Sequence, residues 1–258
     1  MKKTTYQNIL ITGATSGIGR ALALELAATG AKNVFLSGRD EARLDEIVTE
    51  CRAHGVTVHP MIVDVSDATA MRQWVEASDA QAPLDLVVAN AGVGTGDETE
   101  ANVRQTFATN VDGVLNTVFP ALDRFSDADT IALRAGRQIA IVSSIVGYHG
   151  MPSCPAYSAS KACVKAWGAG LRGRHAREGI RVNVICPGFV RSRITDRNAF
   201  SMPFFMEADC AARIIIRRLK RNIGLISFPW PMRIVMGVIS ALPERISMAI
   251  LNGLPDKG

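Results

Sequence analysis

The chain alternates between short, wholly apolar segments and longer segments whose apolar residues recur at helical spacing. Seven apolar segments have the length of a strand, at 9–12, 34–36, 56–65, 86–88, 139–142, 181–185 and 225–228. Helical patterns fill the intervals, at about 18–30, 40–51, 67–83, 98–125, 157–177 and 207–221. A strand that is apolar at every position is buried on both faces, as in a parallel sheet covered by helices. The pattern predicts a doubly wound α/β fold of about seven strands.

Composition adds limits to this picture. The 258 residues are 48% hydrophobic and 21% charged, and no stretch resembles a linker, so we expect one globular domain over 1–258. A net charge of +5 is too small to argue for nucleic acid. Five cysteines without a C-x-x-C pair favour a reducing compartment and no metal site. With no signal peptide and no apolar run of about 18 residues, we expect a cytoplasmic protein.

The first candidate site is the sequence T-G-A-T-S-G-I-G at 12–19, between the first predicted strand and the first helix. Ligands of doubly wound sheets bind beyond the carboxyl ends of the strands. Glycines there let the backbone approach a pyrophosphate, whose charge meets the N–H groups of the helix start. The alternative is an ordinary glycine-rich turn. The predicted cofactor-binding residues of this segment are Gly13, Thr15, Ser16, Gly17, Ile18 and Gly19.

The ends of the second and third predicted strands indicate which dinucleotide the protein binds. Gly38 stands where an acid would bind the ribose 2′-OH of NAD, and Arg39 follows it. An Arg accommodates the 2′-phosphate of NADP, so we predict NADP(H) in preference to NAD(H). The alternative is a surface Arg that helps to start a helix. Asp64, followed by Val65, could accept a hydrogen bond from the adenine amino group, or it could only cap the next helix.

Tyr157 and Lys161 stand four residues apart in a predicted helix, which places both on one face. The pKa of a free Tyr is about 10, and a nearby cation lowers it toward a range useful for proton transfer. On its own such a pair is more often a packed Tyr beside a solvated Lys. Ser144, at the end of the fifth predicted strand, adds a hydroxyl that can hydrogen-bond the same substrate oxygen.

Together these motifs resemble the short-chain dehydrogenase/reductase family, over residues from about 7 to 195. The residues that carry the resemblance are the 12–19 turn, Asn90-Ala91-Gly92, Asn110, Ser144, Tyr157, Lys161 and Pro187-Gly188. The resemblance implies a Rossmann-type fold and hydride transfer between a nicotinamide cofactor and a carbonyl or secondary alcohol. The rivals are the related epimerases and dehydratases, which this length disfavours, and a non-catalytic dinucleotide sensor or membrane-surface scaffold.

The resemblance also implies a role for each catalytic candidate. Tyr157 would be the general acid in reduction and the base in oxidation, and Ser144 would anchor the substrate oxygen. Lys161 would lower the pKa of Tyr157 and hold the nicotinamide ribose hydroxyls. Asn110 would support a water link from Lys161 to solvent.

The family further implies cofactor contacts by residues on other strand ends. Asn90 would brace the sheet beside the adenosine ribose, with Ala91 and Gly92. Pro187 and Gly188 would form the turn beside the nicotinamide. Two residues would lie near its carboxamide, Val190 and Ser192. The family is often dimeric or tetrameric through the long helices, here those near Asn110 and Tyr157.

The last part of the chain has two features that the motifs do not explain. Residues 189–221 include large apolar residues in a loop, which predicts a lid over an apolar substrate or, alternatively, a loop packed on the domain. Residues 229–258 form an apolar tail with helical spacing, and basic residues crowd 213–221 just before it. The tail could contact an anionic membrane, pack on the core or contact a second subunit.

Overall fold

A parallel sheet forms the centre of the computed structural model, which describes residues 6–94, 96–127, 136–197 and 201–253. Within these ranges seven strands pair in the order β3-β2-β1-β4-β5-β6-β7, all parallel. The strands are β1 (Asn8–Ile11), β2 (Asn33–Gly38), β3 (Thr57–Ile62), β4 (Leu86–Ala89), β5 (Gln138–Val142), β6 (Arg181–Pro187) and β7 (Leu225–Phe228). The predicted doubly wound fold is confirmed. The third strand was predicted too long, since 63–65 turn away from the sheet toward the next helix.

Helices cover both faces of the sheet. They are α1 (Gly17–Ala28), α2 (Glu41–Arg52), α3 (Ala68–Gln81), α4 (Glu100–Phe107), α5 (Gly113–Ser126), α6 (Pro155–Arg174), α7 (Ala208–Lys220), α8 (Trp230–Ala241) and α9 (Glu244–Asn252). The Asp67 carboxylate caps α3 by accepting from the backbone N–H groups of Thr69 and Ala70. An uncapped helix start would leave those donors unpaired, which is why the sequence places an acid there.

Two buried clusters explain why the central strands are apolar at most positions. In β1, Ile9 and Ile11 face the cluster formed with α1, α2 and α7, while Leu10 faces the cluster formed with α3, α5 and α6. β2 and β5 alternate in the same way. Successive side chains of a strand point to opposite faces, so a sheet covered twice needs apolar residues on both.

The helical region predicted over 98–125 is present, and it contains a π-turn at Ala108–Asp112 between α4 and α5. The chain stays helical through this turn, but its spacing differs from that of a regular α-helix. A π-turn inserts one extra residue and is frequent at functional sites. Sequence periodicity does not detect it, because the apolar positions of α4 and α5 each keep helical spacing on their own side of the insertion.

The last two helices pack beyond the sheet, on the short 3₁₀ turn Ile145–Tyr148. Met236, Ile239 and Leu251 form a third buried cluster with Ile145. The hydroxyl of Ser240 donates to the carbonyl of Tyr148 at 2.8 Å. Phe200 and residues 254–258, which belong to the predicted lid and tail, lie outside the described residues. None of the helices in the described part of the chain has the length and hydropathy needed to cross a bilayer.

Candidate active site

The glycine turn after β1 makes its closest approach to the end of β4. Gly13 has φ +65°, and a Cβ built on it would lie 2.8 Å from the Cα of Ala91. Gly17 has φ +53° and opens α1. Only glycine takes this backbone conformation at this separation without strain. The sequence therefore contains glycine at these two positions for a steric reason.

The N-terminus of α1 faces the cavity, and no side chain of its own first turn binds its N–H groups. No acidic residue lies in the first turn, and the side chain of Ser16 makes no capping hydrogen bond. Thr15, Ser16, Gly17 and Ile18 line the cavity, whereas Gly19 lies against the carbonyl of Gly13. The exposed N–H groups and the helix dipole give this end a positive potential that suits a phosphate.

Asn90 ties the ends of β1 and β4 together. Its Nδ2 donates to the carbonyls of Thr12 and Gly13 at 2.9 and 3.1 Å. In return, the hydroxyl of Thr12 accepts from the backbone N–H groups of Asn90 and Ala91. These bonds fix the crevice between the two strands, and Asn90, Ala91 and Gly92 all line it.

Arg39 and Asp64 lie at the outer end of the cavity, where β2 and β3 end. Arg39 NH1 lies 3.3 Å from Asp64 Oδ2, and both side chains are about half exposed. Burial alone would raise the pKa of Asp64, but hydrogen bonds from Ser66 and the Arg39 guanidinium hold it below its usual value. Asp64 Oδ1 accepts from the backbone and hydroxyl of Ser66, whereas the cap of α3 is Asp67, so the alternative that Asp64 only caps that helix is wrong. Val65 follows, and its carbonyl accepts from Asn116.

The π-turn places Asn110 behind the buried end of the cavity. Its Oδ1 accepts from the N–H of Val93 at 2.8 Å, and its Nδ2 donates to the carbonyl of Val93 and the hydroxyl of Ser160. A Cβ built on Gly92 would lie 3.1 Å from both Asn110 Oδ1 and Lys161 Nζ. The three residues therefore meet at one point. The predicted water link to solvent stays a prediction.

Ser144, Tyr157 and Lys161 converge at the same end. The hydroxyls of Tyr157 and Ser144 are hydrogen-bonded to each other. Lys161 Nζ lies 5.8 Å from the centroid of the Tyr157 ring and donates to the carbonyl of Val142 at 3.1 Å. The hydroxyl of Ser143 donates to the carbonyl of Lys161, which fixes α6 against the end of β5.

Loss of hydration dominates the electrostatics of Tyr157. Burial raises the pKa of its phenol to about 12, Cys154 adds to the rise, and the hydrogen bond with Ser144 opposes it. The prediction that Lys161 lowers this pKa stays a prediction, because Lys161 is not among the causes of the shift. The sequence argument considered the neighbouring cation but not the burial, which depends on the tertiary fold.

Loss of hydration also shifts the pKa of Lys161, but it lowers this pKa because the charged form of a lysine is the protonated one. Burial lowers the pKa of its ammonium to about 8, and Cys186 only partly offsets this. The group is therefore charged below about pH 8 and loses its proton above it. A lysine with this pKa can change the charge of the site within the working range of an enzyme.

The chain after β6 closes the remaining side of the cavity. Pro187 and Gly188 line it, and a Cβ on Gly188 would lie 2.9 Å from both Met232 Sδ and Pro229 Cδ. Ser192 lies against Gly17, and its N–H donates to the hydroxyl of Thr195 at 2.8 Å. Val190 also lines the cavity and forms an isolated bridge with Met206.

One cavity of about 310 Å³ thus contains nearly every residue that the sequence singled out. Of the predicted site residues, Asn110 and Gly19 do not line the cavity and instead lie behind residues that do. The sequence analysis missed several residues that do line it, namely Val93, Gly94, Thr109, Ile194 and Thr195. The first two continue the Asn-Ala-Gly segment past a strand end, a position that could have identified them.

The predicted lid region divides into two parts. Residues 208–220 form α7, whose Ala211, Ile215 and Leu219 are buried in the cluster with α1. That part is core, so the lid expectation over 189–221 is wrong for it. Residues 201–206 remain at the surface, with Phe204 exposed, and Arg191 pairs with Glu207 across the base of the loop.

Comparison with known proteins agrees with this geometry. The family model for short chain dehydrogenase matches residues 7–201. An uncharacterized oxidoreductase of Myxococcus xanthus is 38% identical over 99% of this chain and 97% of its own length. The chain belongs to the short-chain dehydrogenase family, and the predicted class of enzyme, an NAD(P)-dependent dehydrogenase or reductase, is confirmed.

Two solved structures share the fold. A short chain dehydrogenase of Burkholderia cenocepacia in complex with NADP is 26% identical, with a TM-score of 0.75 over 86% of this chain and 96% of that one. A short chain dehydrogenase of Mycobacterium paratuberculosis bound to NAD is 25% identical, with a TM-score of 0.74 over 86% and 95%. Relatives of comparable similarity therefore bind either dinucleotide.

Proposed function

We propose that this protein transfers a hydride between NADP(H) and a carbonyl or secondary alcohol carbon of an apolar substrate. The observation that carries the proposal is the convergence of Ser144, Tyr157 and Lys161 on the cavity that the glycine turn opens. A proton-carrying hydroxyl, a second hydroxyl and an ammonium at one buried end are the groups that carbonyl reduction requires.

The cavity fits a dinucleotide. At Gly13 and Gly92, the side chain of any other residue would fill space that the glycines leave open beside the cavity. The start of α1 offers unpaired N–H groups for the phosphates. Residues from Asn90 to Gly92 would face the adenosine ribose, Asp64 and Val65 the adenine, and the 187–192 segment the nicotinamide.

The preference for NADP(H) rests on the outer end of the cavity. A Cβ on Gly38 would lie 2.3 Å from Thr15 Cγ2, so the place of a ribose-binding acid is sterically closed. The Arg39 guanidinium lines the cavity beside it and is about half exposed; among the described residues its one ion pair is the 3.3 Å contact with Asp64. A 2′-phosphate offers this guanidinium a stronger, bidentate partner.

Tyr157, Ser144 and Lys161 each have a different role in the proposed reaction. When bound, the nicotinamide supplies or accepts the hydride. Tyr157 is protonated at neutral pH, since both its usual pKa of about 10 and its raised pKa of about 12 lie well above 7, and it gives that proton to the carbonyl oxygen. Ser144 holds the same oxygen by a hydrogen bond, and Lys161 would hold the ribose hydroxyls and keep a positive charge nearby. In carbonyl reduction the protonated Tyr157 acts as the acid.

The substrate side is rich in apolar side chains. Tyr148, Met151, Met232 and Met248 pack around the cluster between the 145–148 turn and the last two helices. Phe204 and Phe205 are exposed on the 201–206 loop. Met232 of this group borders the cavity at Gly188, and flexible thioethers suit a bulky or chain-like ketone better than a sugar. We propose that the loop acts as the lid over such a substrate.

We further propose a homo-oligomer in the cytoplasm. Phe107 and Phe119 are exposed on α4 and α5, and Phe119 lies 5.4 Å from the Trp167 ring of α6, which makes an apolar face on the long helices. The cysteines are all free thiols, with Cys51, Cys154 and Cys186 buried, which suits a reducing compartment.

The experiment is a panel of carbonyls incubated with NADPH or with NADH, followed by the loss of absorbance of the reduced nicotinamide. The expected result is turnover of bulky apolar ketones with NADPH, and weak turnover of small sugars. Oxidation of neither cofactor with any carbonyl, or rapid turnover confined to sugars, would contradict the proposal.

A further inference from the structure

Helices α8 and α9 expose an apolar surface that no other described element covers. Trp230, Ile234 and Val238 are spaced by four residues in α8 and are 69%, 55% and 55% exposed. Ile246 and Ile250 repeat the spacing in α9, at 50% and 44%. Residues four apart lie in a row on a helix, so each helix carries one outward apolar stripe.

The opposite faces of both helices are buried in one cluster. Met236 and Ile239 of α8 and Leu251 of α9 pack there with Ile145. Because the two helices bury their inner faces against the same cluster, both stripes face outward from it. An apolar surface of this kind on a folded domain marks an interaction site.

Cations outnumber acids around this surface. Residues 210–243 contain six Arg or Lys and no Asp or Glu, and in α9 the acid Glu244 is followed by Arg245. Burial lowers the pKa of Arg218, and repulsion by the nearby Arg217 and Arg233 lowers it further. Neither Arg217 nor Arg233 forms an ion pair with any residue in the described ranges. The border of the surface is therefore positive and unneutralised.

These observations favour a lipid surface over a second copy of the chain. A two-fold contact through the stripes would bring the same unneutralised arginines of two subunits near each other, and like charges oppose association. An anionic bilayer offers apolar chains to the stripes and phosphates to the arginines at the same time.

We propose that the outward faces of α8 and α9, with Arg217 and Arg233 at their border, bind anionic phospholipid membranes. The stripes would lie in the interface plane with Trp230 at the headgroup level. Binding needs both the apolar contact and the charge, so neutral membranes bind weakly and salt weakens the attachment.

This attachment would also place the substrate pocket at the membrane. Met232, on the first turn of α8, lies against Gly188 at the proposed nicotinamide end of the cavity. An apolar ketone dissolved in the bilayer could then reach the cavity without crossing water. This link rests on the proposed function, whereas the membrane attachment itself does not.

The test is co-sedimentation of the full chain with vesicles, which needs no activity. We expect association with vesicles of phosphatidylcholine and phosphatidylglycerol at low salt, little with phosphatidylcholine alone, and release at high salt. The emission of Trp230 should shift to the blue on binding, and W230F should lose that shift. Absence of association with the anionic vesicles would overturn the proposal.

Two variants separate the alternatives. I234E/V238E should abolish sedimentation, whereas I62E, a matched change at a 50% exposed Ile on β3, should not. R217Q/R233Q, which leaves the apolar stripes intact, should weaken binding by about fivefold for each arginine removed. Sedimentation of I234E/V238E at the wild-type level would overturn the proposal. The proposal would also be overturned if I234E/V238E changed only the oligomeric mass of the protein, since the surface would then bind a second copy of the chain.

Discussion

The two ends of the cavity are built in different ways. At the inner end, Asn110 and Lys161 are buried, and strand ends and α6 hold them through backbone hydrogen bonds. At the outer end, Arg39 and Asp64 are about half exposed and meet each other through one 3.3 Å contact. Buried polar groups are costly to disturb, whereas an exposed ion pair contributes about 0–1 kcal/mol. The fold therefore fixes the chemistry firmly and leaves cofactor selectivity open to single substitutions.

The largest effect is expected at the inner end, from Tyr157→Phe. Loss of the proton carrier should lower the rate of carbonyl reduction by about 10³-fold, in the range for general acid catalysis, while NADPH binding stays near wild type. Stopped-flow rates and fluorescence titration of NADPH measure the two quantities.

Tyr148→Phe is the matched control for that substitution. The hydroxyl of Tyr148 is also buried, but it has no hydrogen-bond partner, so its removal should change the rate little. Equal losses in the two variants, or a Tyr157→Phe enzyme with most of its activity, would remove Tyr157 from the mechanism.

The second effect compares the stability of the two ends. Asn110→Ala leaves the N–H and carbonyl of the half-buried Val93 and the hydroxyl of Ser160 without this partner and should lower the free energy of unfolding by about 2 kcal/mol. Asp64→Asn should cost less than about 1 kcal/mol, because its exposed pair is screened by solvent. Urea unfolding followed by circular dichroism measures both. Equal losses would show that the two ends are equally rigid.

The third effect is on cofactor choice. Arg39→Ser should raise the KM for NADPH by about 10-fold to 100-fold, the value of a hydrogen bond to a charged group, and leave the KM for NADH nearly unchanged. Arg43→Ser is the control, since Arg43 also carries a guanidinium but pairs with Asp40, which caps the start of α2. An unchanged ratio of kcat/KM for the two cofactors would show that the outer end does not select between them.

The smallest effect is on pH dependence. The pKa of Lys161 is lowered to about 8, so the ammonium is present below that pH and lost above it. If the charge holds the cofactor, kcat/KM for reduction is level at neutral pH and falls about tenfold per pH unit above about 8. The profile of the free enzyme with NADPH checks this. A rate that rises with pH across that range would be evidence against a role for the charged lysine.

The sequence predicted those features of the fold and site that depend on the local spacing of residues. Apolar runs identified the sheet because neighbouring residues such as Ile9 and Leu10 pack in clusters on opposite faces of it. Strand ends identified the cavity because parallel strands end at one edge of the sheet. The raised pKa of Tyr157 was not predictable, since it depends on what other segments bury. The contact of Ser192 with Gly17 likewise joins positions far apart in the chain, which periodicity does not relate.

The π-turn at Ala108–Asp112 has a consequence for how this gene can change. Loss of a single codon there would remove the inserted residue and let the remaining four wind as an ordinary helical turn. Asn110 would then lose the position from which it pairs with Val93 and Ser160. Frame-preserving deletions should therefore be far less tolerated in this segment than in the surface loop at 201–206, although neither segment contains the proton-carrying residue.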